Sequence, residues 1–172
     1  MIAFRPAQPA DAGAIAAIYA PHVTHGVASF ETAAPDAGEM ARRIAGAGAL
    51  YPWVVAVREQ EVVAYAYAGP FGSREAYRWA VETSIYVAGA AQGRGTGRLL
   101  YGALLTTLRT RGFTQAVARI ALPNDSSAAL HAALGFALIG IHRQVGWKQD
   151  RWIDVGLWQC ALAEPGLRPV LA

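Results

Sequence analysis

The sequence predicts an α+β fold of mixed α/β layers, with helices flanking a mostly antiparallel central sheet. Two observations carry this reading. Strand-like and helix-like segments follow one another in the order β-α-α-β-β-β-α-β-α-β-β, and neighbouring strands are joined by short polar turns of the hairpin kind. A glycine-rich turn, Gln92-Gly93-Arg94-Gly95-Thr96-Gly97, stands between a strand-like segment and a helix-like one. That order lets a chain present backbone N–H groups and a helix dipole to an anion.

The elements follow in order. Ile2 to Arg5 reads as a short strand. Asp11 is placed to cap a helix that carries Ile15, Ile18 and Tyr19 near one face. His22 to Thr32 has no clear period and contains Gly26, so it is expected to be a loop. Pro35-Asp36 opens a second helix with Met40 and Ile44 on one face, ending at Gly46 or Gly48. Trp53 to Val57 and Val62 to Ala68 read as a hairpin around Glu59-Gln60-Glu61. After the loop Pro70 to Arg74, a longer strand is expected from about Tyr77 to Val87, leading into the glycine turn.

The helix that follows the turn runs to about Arg111 and stops at Gly112. Gln115 to Ala121 is a strand broken by Pro123-Asn124-Asp125. Ser126 to Leu134 is a short helix closed by Gly135. Phe136 to Gly146 and Trp152 to Leu162 form a last strand pair around Lys148-Gln149-Asp150-Arg151. Residues 1–163 are expected to form a single domain, and 164–172 a short, loose tail with two prolines.

Composition excludes several classes. In 172 residues, 54% hydrophobic and 16% charged content argues against disorder, and no apolar run reaches membrane-spanning length. The first residues lack the basic-then-apolar pattern of a signal peptide. Cys160 is the single cysteine, so neither an internal disulfide nor a cysteine-based zinc cage is available. No metal is expected. A cytoplasmic location is expected. The net charge of +3 comes from scattered arginines with one lysine, Lys148, and no block resembles a nucleic-acid arm.

The element order, with Gln-x-x-Gly-x-Gly opening the third helix, resembles the GNAT superfamily of acetyl-CoA-dependent N-acetyltransferases from Ile2 to Leu162. Three further segments are similar to its phosphinothricin and methionine sulfoximine/sulfone branch. They are Ala28-Ser29-Phe30-Glu31-Thr32, the run Arg74 to Val87, and Asn124-x-x-Ser127-x-x-Leu130-His131 leading to Gly135-Phe136. Trp147-Lys148 and Arg151 to Val155 extend the last of them.

The resemblance implies that Gly93, Arg94, Gly95, Thr96, Gly97 and Arg98 cradle the pyrophosphate of acetyl-CoA. The backbone of Ile85, Tyr86 and Val87 would pair with the pantetheine arm like an added strand. Asn124 and Ser127 would bond its amides, although both are also ordinary helix-cap residues.

Acetyl transfer to an amine requires removal of a proton, because an ammonium has no lone pair and an α-amino group has a pKa of about 8. Position alone leaves Glu82, on the strand entering the glycine turn, equally a base, a solvent-facing residue or a partner for Arg78; the resemblance to the family's Val-Glu-x-Ser-x-Tyr motif implies that it is the base. Many GNAT enzymes carry a tyrosine seven residues after the asparagine, thought to protonate the departing thiolate. His131 stands there, and the sequence leaves open whether it is an acid or assisting base or a packed helix histidine. A backbone N–H near Val87 can meet the oxyanion. Cys160 reads as a small buried hydrophobe rather than a nucleophile.

For the acceptor, the resemblance implies Phe30, Glu31, Arg74, Glu75, Ala76, Tyr77 and Ile85. An arginine such as Arg74 can hold a carboxylate bidentately, and Phe30 and Tyr77 can pack on the side chain. Ordinary roles, a solvated loop arginine and a core plug, stand beside these. Arg74 and Arg78 beside Glu82 favour an acceptor bearing a carboxylate, and the resemblance implies phosphinothricin, methionine sulfoximine or methionine sulfone. The alternatives are a peptide N-terminus or polyamine as acceptor, or a non-catalytic acyl-CoA sensor. The loop Trp147 to Trp152 lacks a glycine that relatives often have, which alters its backbone freedom. Relatives of this branch commonly form homodimers, and three tryptophans between Trp147 and Trp158 are available for an interface.

Overall fold

Alternation along the strands determines how the layers pack. In the computed structural model, which describes residues 2–164 and 166, seven strands form one sheet in the order β1-β2-β3-β4-β5-β7-β6. The strands are β1 (Ile2–Pro6), β2 (Trp53–Arg58), β3 (Glu61–Pro70), β4 (Ala80–Val87), β5 (Gln115–Leu122), β6 (Ala137–Lys148) and β7 (Arg151–Ala161). The helices are α1 (Ala12–Thr24), α2 (Ala37–Ala47), α3 (Thr96–Thr110) and α4 (Asp125–Ala133). The order of elements agrees with the sequence reading.

On β3, Ala64, Ala66 and Ala68 face α3, whose Leu100, Tyr101, Leu104, Leu105 and Leu108 fill that layer. The intervening Tyr65 and Tyr67 face the other way, toward α1 and α2, where Ile15, Ile18, Tyr19, Val23 and Met40 pack. Small residues on one face let α3 approach closely, while the aromatic side is filled by stacked rings such as Trp53 and Tyr67, 4.3 Å apart. Helices therefore cover both faces.

All strand pairs are antiparallel except β4 and β5. These run parallel and pair only over Ala80↔Gln115, Val81↔Ala116 and Glu82↔Val117. Beyond Glu82 the two strands separate, while β4 stays paired with β3 as far as Val87. The sheet opens into a cleft at this point, leaving one edge of β4 free for hydrogen bonding. Thr83 Oγ1 spans the fork, 3.2 Å from the Val117 carbonyl of β5 and 2.8 Å from the Tyr101 hydroxyl of α3.

Several local expectations are corrected. Asp11 occupies the N-cap of α1, yet its carboxylate makes no cap bond there. It accepts instead from the Gln8 N–H and from both terminal nitrogens of Arg5, tying β1 to the helix start. The expected loop from His22 is helical as far as Thr24, because Pro21 sits inside α1 without ending it. The strand expected from Tyr77 begins at Ala80; Glu75–Tyr77 is a 3₁₀ turn. Asp36 caps α2 as its position suggests, accepting from the Glu39 N–H. The expected tail falls, apart from Glu164 and Gly166, outside the described residues. No helix of the described residues is long and apolar enough to cross a membrane.

Candidate active site

The fork between β4 and β5 is the entrance to two joined pockets. The first runs along Ile85 to Val87, over the turn Gln92 to Arg98, and down to Asn124, Ser127, Leu130 and His131. The second lies under the loop after α1 and is lined by Ser29, Phe30, Glu31, Tyr67, Glu82 and His142, among others. Ala28, Ser84, Tyr86, Arg119 and Ala121 border both.

In the first pocket the glycine turn has the backbone its sequence demands. Gly93 and Gly95 hold φ of 70° and 77°, in the left-handed region that costs a Cβ-bearing residue energy. Gly95 is the N-cap of α3, so its helix start faces the cleft with a free dipole end. The Thr96 hydroxyl is buried without a hydrogen-bond partner among the described residues, although this residue lines the pocket. An orphaned hydroxyl beside unpaired helix N–H groups fits a pyrophosphate. Gln92 Nε2 donates to the Val87 carbonyl at 3.1 Å and braces the turn against β4. Arg98 lines the pocket, whereas Arg94 is exposed and does not.

Asn124 accepts from the Ser127 N–H at 3.1 Å and caps α4 from inside the pocket wall. His131 lies deeper, 3% exposed. Its Nδ1 is 2.7 Å from the Ser127 carbonyl and its Nε2 is 3.1 Å from the Tyr101 hydroxyl. A carbonyl only accepts, so Nδ1 carries the proton and Nε2 accepts from Tyr101. Burial pushes the His131 pKa down, a shift partly offset by the Ser127 carbonyl. The ring is therefore neutral near pH 7.

In the second pocket Glu82 is the central carboxylate. Successive residues of β4 alternate, so Val81 and Thr83 pack beneath α3 while Glu82 and Ser84 face the acceptor side. Burial raises the Glu82 pKa, opposed in part by Arg119, whose Nη1 stands 3.2 Å from Glu82 Oε2. Arg78, the partner considered from sequence, pairs instead with Glu75 at 3.2 Å and lies over the Trp79 ring.

The roof is the loop 25–32, pinned from three sides. Tyr19 Oη is 2.6 Å from Ser29 Oγ and donates to Glu31 at 2.9 Å. Arg43 reaches both Glu31 oxygens, at 2.8 and 3.0 Å, and holds that carboxyl below its usual pKa. Lys148 donates to the Ser29 carbonyl at 2.6 Å and Gln149 to the His25 carbonyl at 2.8 Å, so the β6–β7 hairpin clasps the roof. The backbone freedom that the missing glycine would supply is met by Gln149 and Asp150, both at positive φ.

The structure thus brings together Phe30, Glu31, Glu82, Ile85, Tyr86, Val87, Gly93, Gly95 to Arg98, Asn124, Ser127 and His131 along one continuous cleft. The Ile85 side chain packs against the core beneath α3. Arg74, Glu75, Ala76 and Tyr77 are not brought there. They form an exposed turn before β4, lining neither pocket, with Tyr77 edge-on to Phe71. Sequence reading missed Arg119, His142, and the chain from Thr83 to Tyr101 to His131. Period-two alternation places Arg119 on one face with Val117, but the pairing of Val117 with Glu82 is a tertiary fact. Among the described residues no group of three or more His, Cys, Asp or Glu is arranged to hold a metal ion.

Comparison with known proteins agrees with this geometry. Residues 4–157 match the acetyltransferase (GNAT) domain family. A phosphinothricin N-acetyltransferase of Streptomyces viridochromogenes is 39% identical over 158 residues, covering 92% of this chain and 86% of that protein. An L-methionine sulfoximine/L-methionine sulfone acetyltransferase of Salmonella typhimurium is 36% identical over 163 residues, covering 92% and 93%. The crystal structure of a phosphinothricin acetyltransferase from Sinorhizobium meliloti in complex with acetyl-CoA superposes with a TM-score of 0.94. It has 40% identity and covers 98% of this chain and 93% of its own.

Proposed function

Because the chain belongs to the GNAT acetyltransferase family, we propose that it is an acetyl-CoA-dependent N-acetyltransferase acting on a small amino-acid analogue. The acceptor class is glutamate- or methionine-like: phosphinothricin, methionine sulfoximine or methionine sulfone. One observation carries the reading. An anion-cradling helix start and a desolvated carboxylate, Glu82, meet across the open β4–β5 fork, where a thioester and an amine can be brought together.

The residues divide the work as follows. Gly93, Gly95 and the start of α3 take the phosphates, and the free edge of β4 from Ile85 to Val87 takes the arm by strand-like pairing. Glu82 accepts the proton of the acceptor ammonium, for which a pKa raised by burial is better matched than an ordinary carboxylate. A backbone N–H of the same β4 edge faces the developing oxyanion. His131, neutral and bonded at both nitrogens, holds α4 against α3 and shapes the cleft floor. Its ring supports the site rather than exchanging the proton that Glu82 takes.

We propose a homodimer joined through the β6–β7 end of the sheet. There β6 is an edge strand, and Leu138, Ile139, Val145, Trp147 and Trp152 are exposed. A cytoplasmic location suits the buried, unpaired Cys160. The function is tested by thiol release from acetyl-CoA with amino acids, methionine sulfone, methionine sulfoximine, phosphinothricin, polyamines and peptides. Turnover with the sulfone, sulfoximine or phosphinothricin is expected. Turnover confined to polyamines or peptides would replace the acceptor class, and binding without any turnover would favour a sensor.

A further inference from the structure

The acceptor pocket contains an ion pair that no element of the glycine turn requires. Glu82 is the last residue of β4 paired with β5, and Arg119 lies two residues beyond its partner Val117, with the charged ends 3.2 Å apart. Arg119 is about half exposed, borders both pockets, and is the one arginine or lysine among the described residues that lines the acceptor side. The neighbouring cations are otherwise engaged. Arg43 is held by Glu31 and Glu39, and Lys148 by the Ser29 carbonyl. Arg74 lies in the exposed turn before β4 and cannot supply a clamp to this pocket within one chain.

We infer that Arg119 binds the α-carboxylate of the acceptor while Glu82 receives its ammonium, so that this pair is the template for an amino-acid zwitterion. The inference rests on the function proposed above and deepens it by assigning the group that recognises the carboxylate. In an α-amino acid the two charges are separated by a single carbon, and here their complements are adjacent side chains. A guanidinium offers two parallel N–H groups to a carboxylate, and the half-exposed side chain can turn from Glu82 to the ligand without leaving a buried charge unpaired. The exchange also leaves Glu82 facing the ammonium as its sole charged partner. A polyamine would place cationic groups against Arg119, which disfavours that class.

The test compares L-methionine sulfone with its carboxamide, which keeps the amine and side chain but lacks the negative charge. Each is assayed with the wild type, Arg119→Gln and Arg119→Lys at saturating acetyl-CoA. Arg119→Gln should lower kcat/KM for the acid by about 10- to 100-fold, the size expected for charge-assisted hydrogen bonds, with the loss mostly in KM. The amide should change little, and Arg119→Lys should recover part of the acid preference. Parallel losses on acid and amide would mean that Arg119 acts only by holding Glu82, and would overturn the inference, as would no loss on either. If the wild type acetylates neither of these compounds, nor methionine sulfoximine or phosphinothricin, the proposed function falls separately. Calorimetric binding of acid and amide to the same proteins then decides the inference, and equal affinities for wild type and Arg119→Gln would overturn it.

Discussion

The Phe30 ring rests directly on the Cα of Gly146, filling the space in which any other residue would carry its Cβ. Gly146 is buried on β6 while Phe30 is 42% exposed at the rim of the acceptor pocket. The contact joins two segments far apart in sequence and fixes the height of the roof above Glu82.

Gly146→Ala should therefore displace Phe30, raising the acceptor KM several-fold while leaving acetyl-CoA affinity nearly unchanged. In a Phe30→Ala background the same substitution meets no ring and should have little effect. A double-mutant cycle with a coupling of about 1 kcal/mol or more would support the contact, and additive effects would argue against it.

Glu82→Gln should reduce kcat by roughly 10²- to 10⁴-fold, the usual contribution of a general base. In the wild type the rate should fall as pH drops through the Glu82 pKa, which burial places above the ordinary carboxylate value of 4.5. That acid limb should vanish in the variant. Full activity of Glu82→Gln across the pH range would remove Glu82 from the mechanism.

At the glycine turn, Gly95→Ala forces a Cβ into a left-handed backbone, φ 77°, at a cost of about 1–2 kcal/mol. Acetyl-CoA binding measured by calorimetry should weaken about tenfold as the turn relaxes, with the acceptor KM little affected. An unchanged acetyl-CoA affinity would show that the turn does not cradle the phosphates.

His131 gives a stability prediction with a definite sign. Burial lowers its pKa below the ordinary 6.5, so the unfolded chain binds a proton more readily than the native one. Its contribution is intact above about pH 6.5 and is lost as pH falls from there toward the folded value, by up to about 1.4 kcal/mol per pH unit for one proton. His22, also lowered by burial, acts in the same direction, whereas Glu82, raised by burial, acts in the opposite one. Denaturant melts of His131→Gln should therefore show a shallower acid decline than the wild type. An identical decline would mean that His131 does not titrate on unfolding.

The candidate site was only partly legible in the chain, and the division follows the range of each interaction. Helix caps such as Asp36, the glycine turn and the order of strands and helices are set by neighbouring residues, through dihedral preference and periodicity, and can be read locally. Asn124 capping α4 is legible in the same way. Whether Arg74 or Arg119 faces the acceptor is not a local matter. It depends on where β5 stops pairing with β4 and on a turn that keeps residues 74–77 outside the pocket.

The sequence by itself determined the layered α+β fold, the anion-binding turn and the strand that carries Glu82. Only the tertiary structure decided that Arg119 stands beside Glu82, that Phe30 lies on Gly146, and that Tyr101 meets His131. The physical reason is register. A strand's alternation fixes which residues share a face, but which residue of a distant strand lies opposite is set by the packing of the whole sheet against its helices.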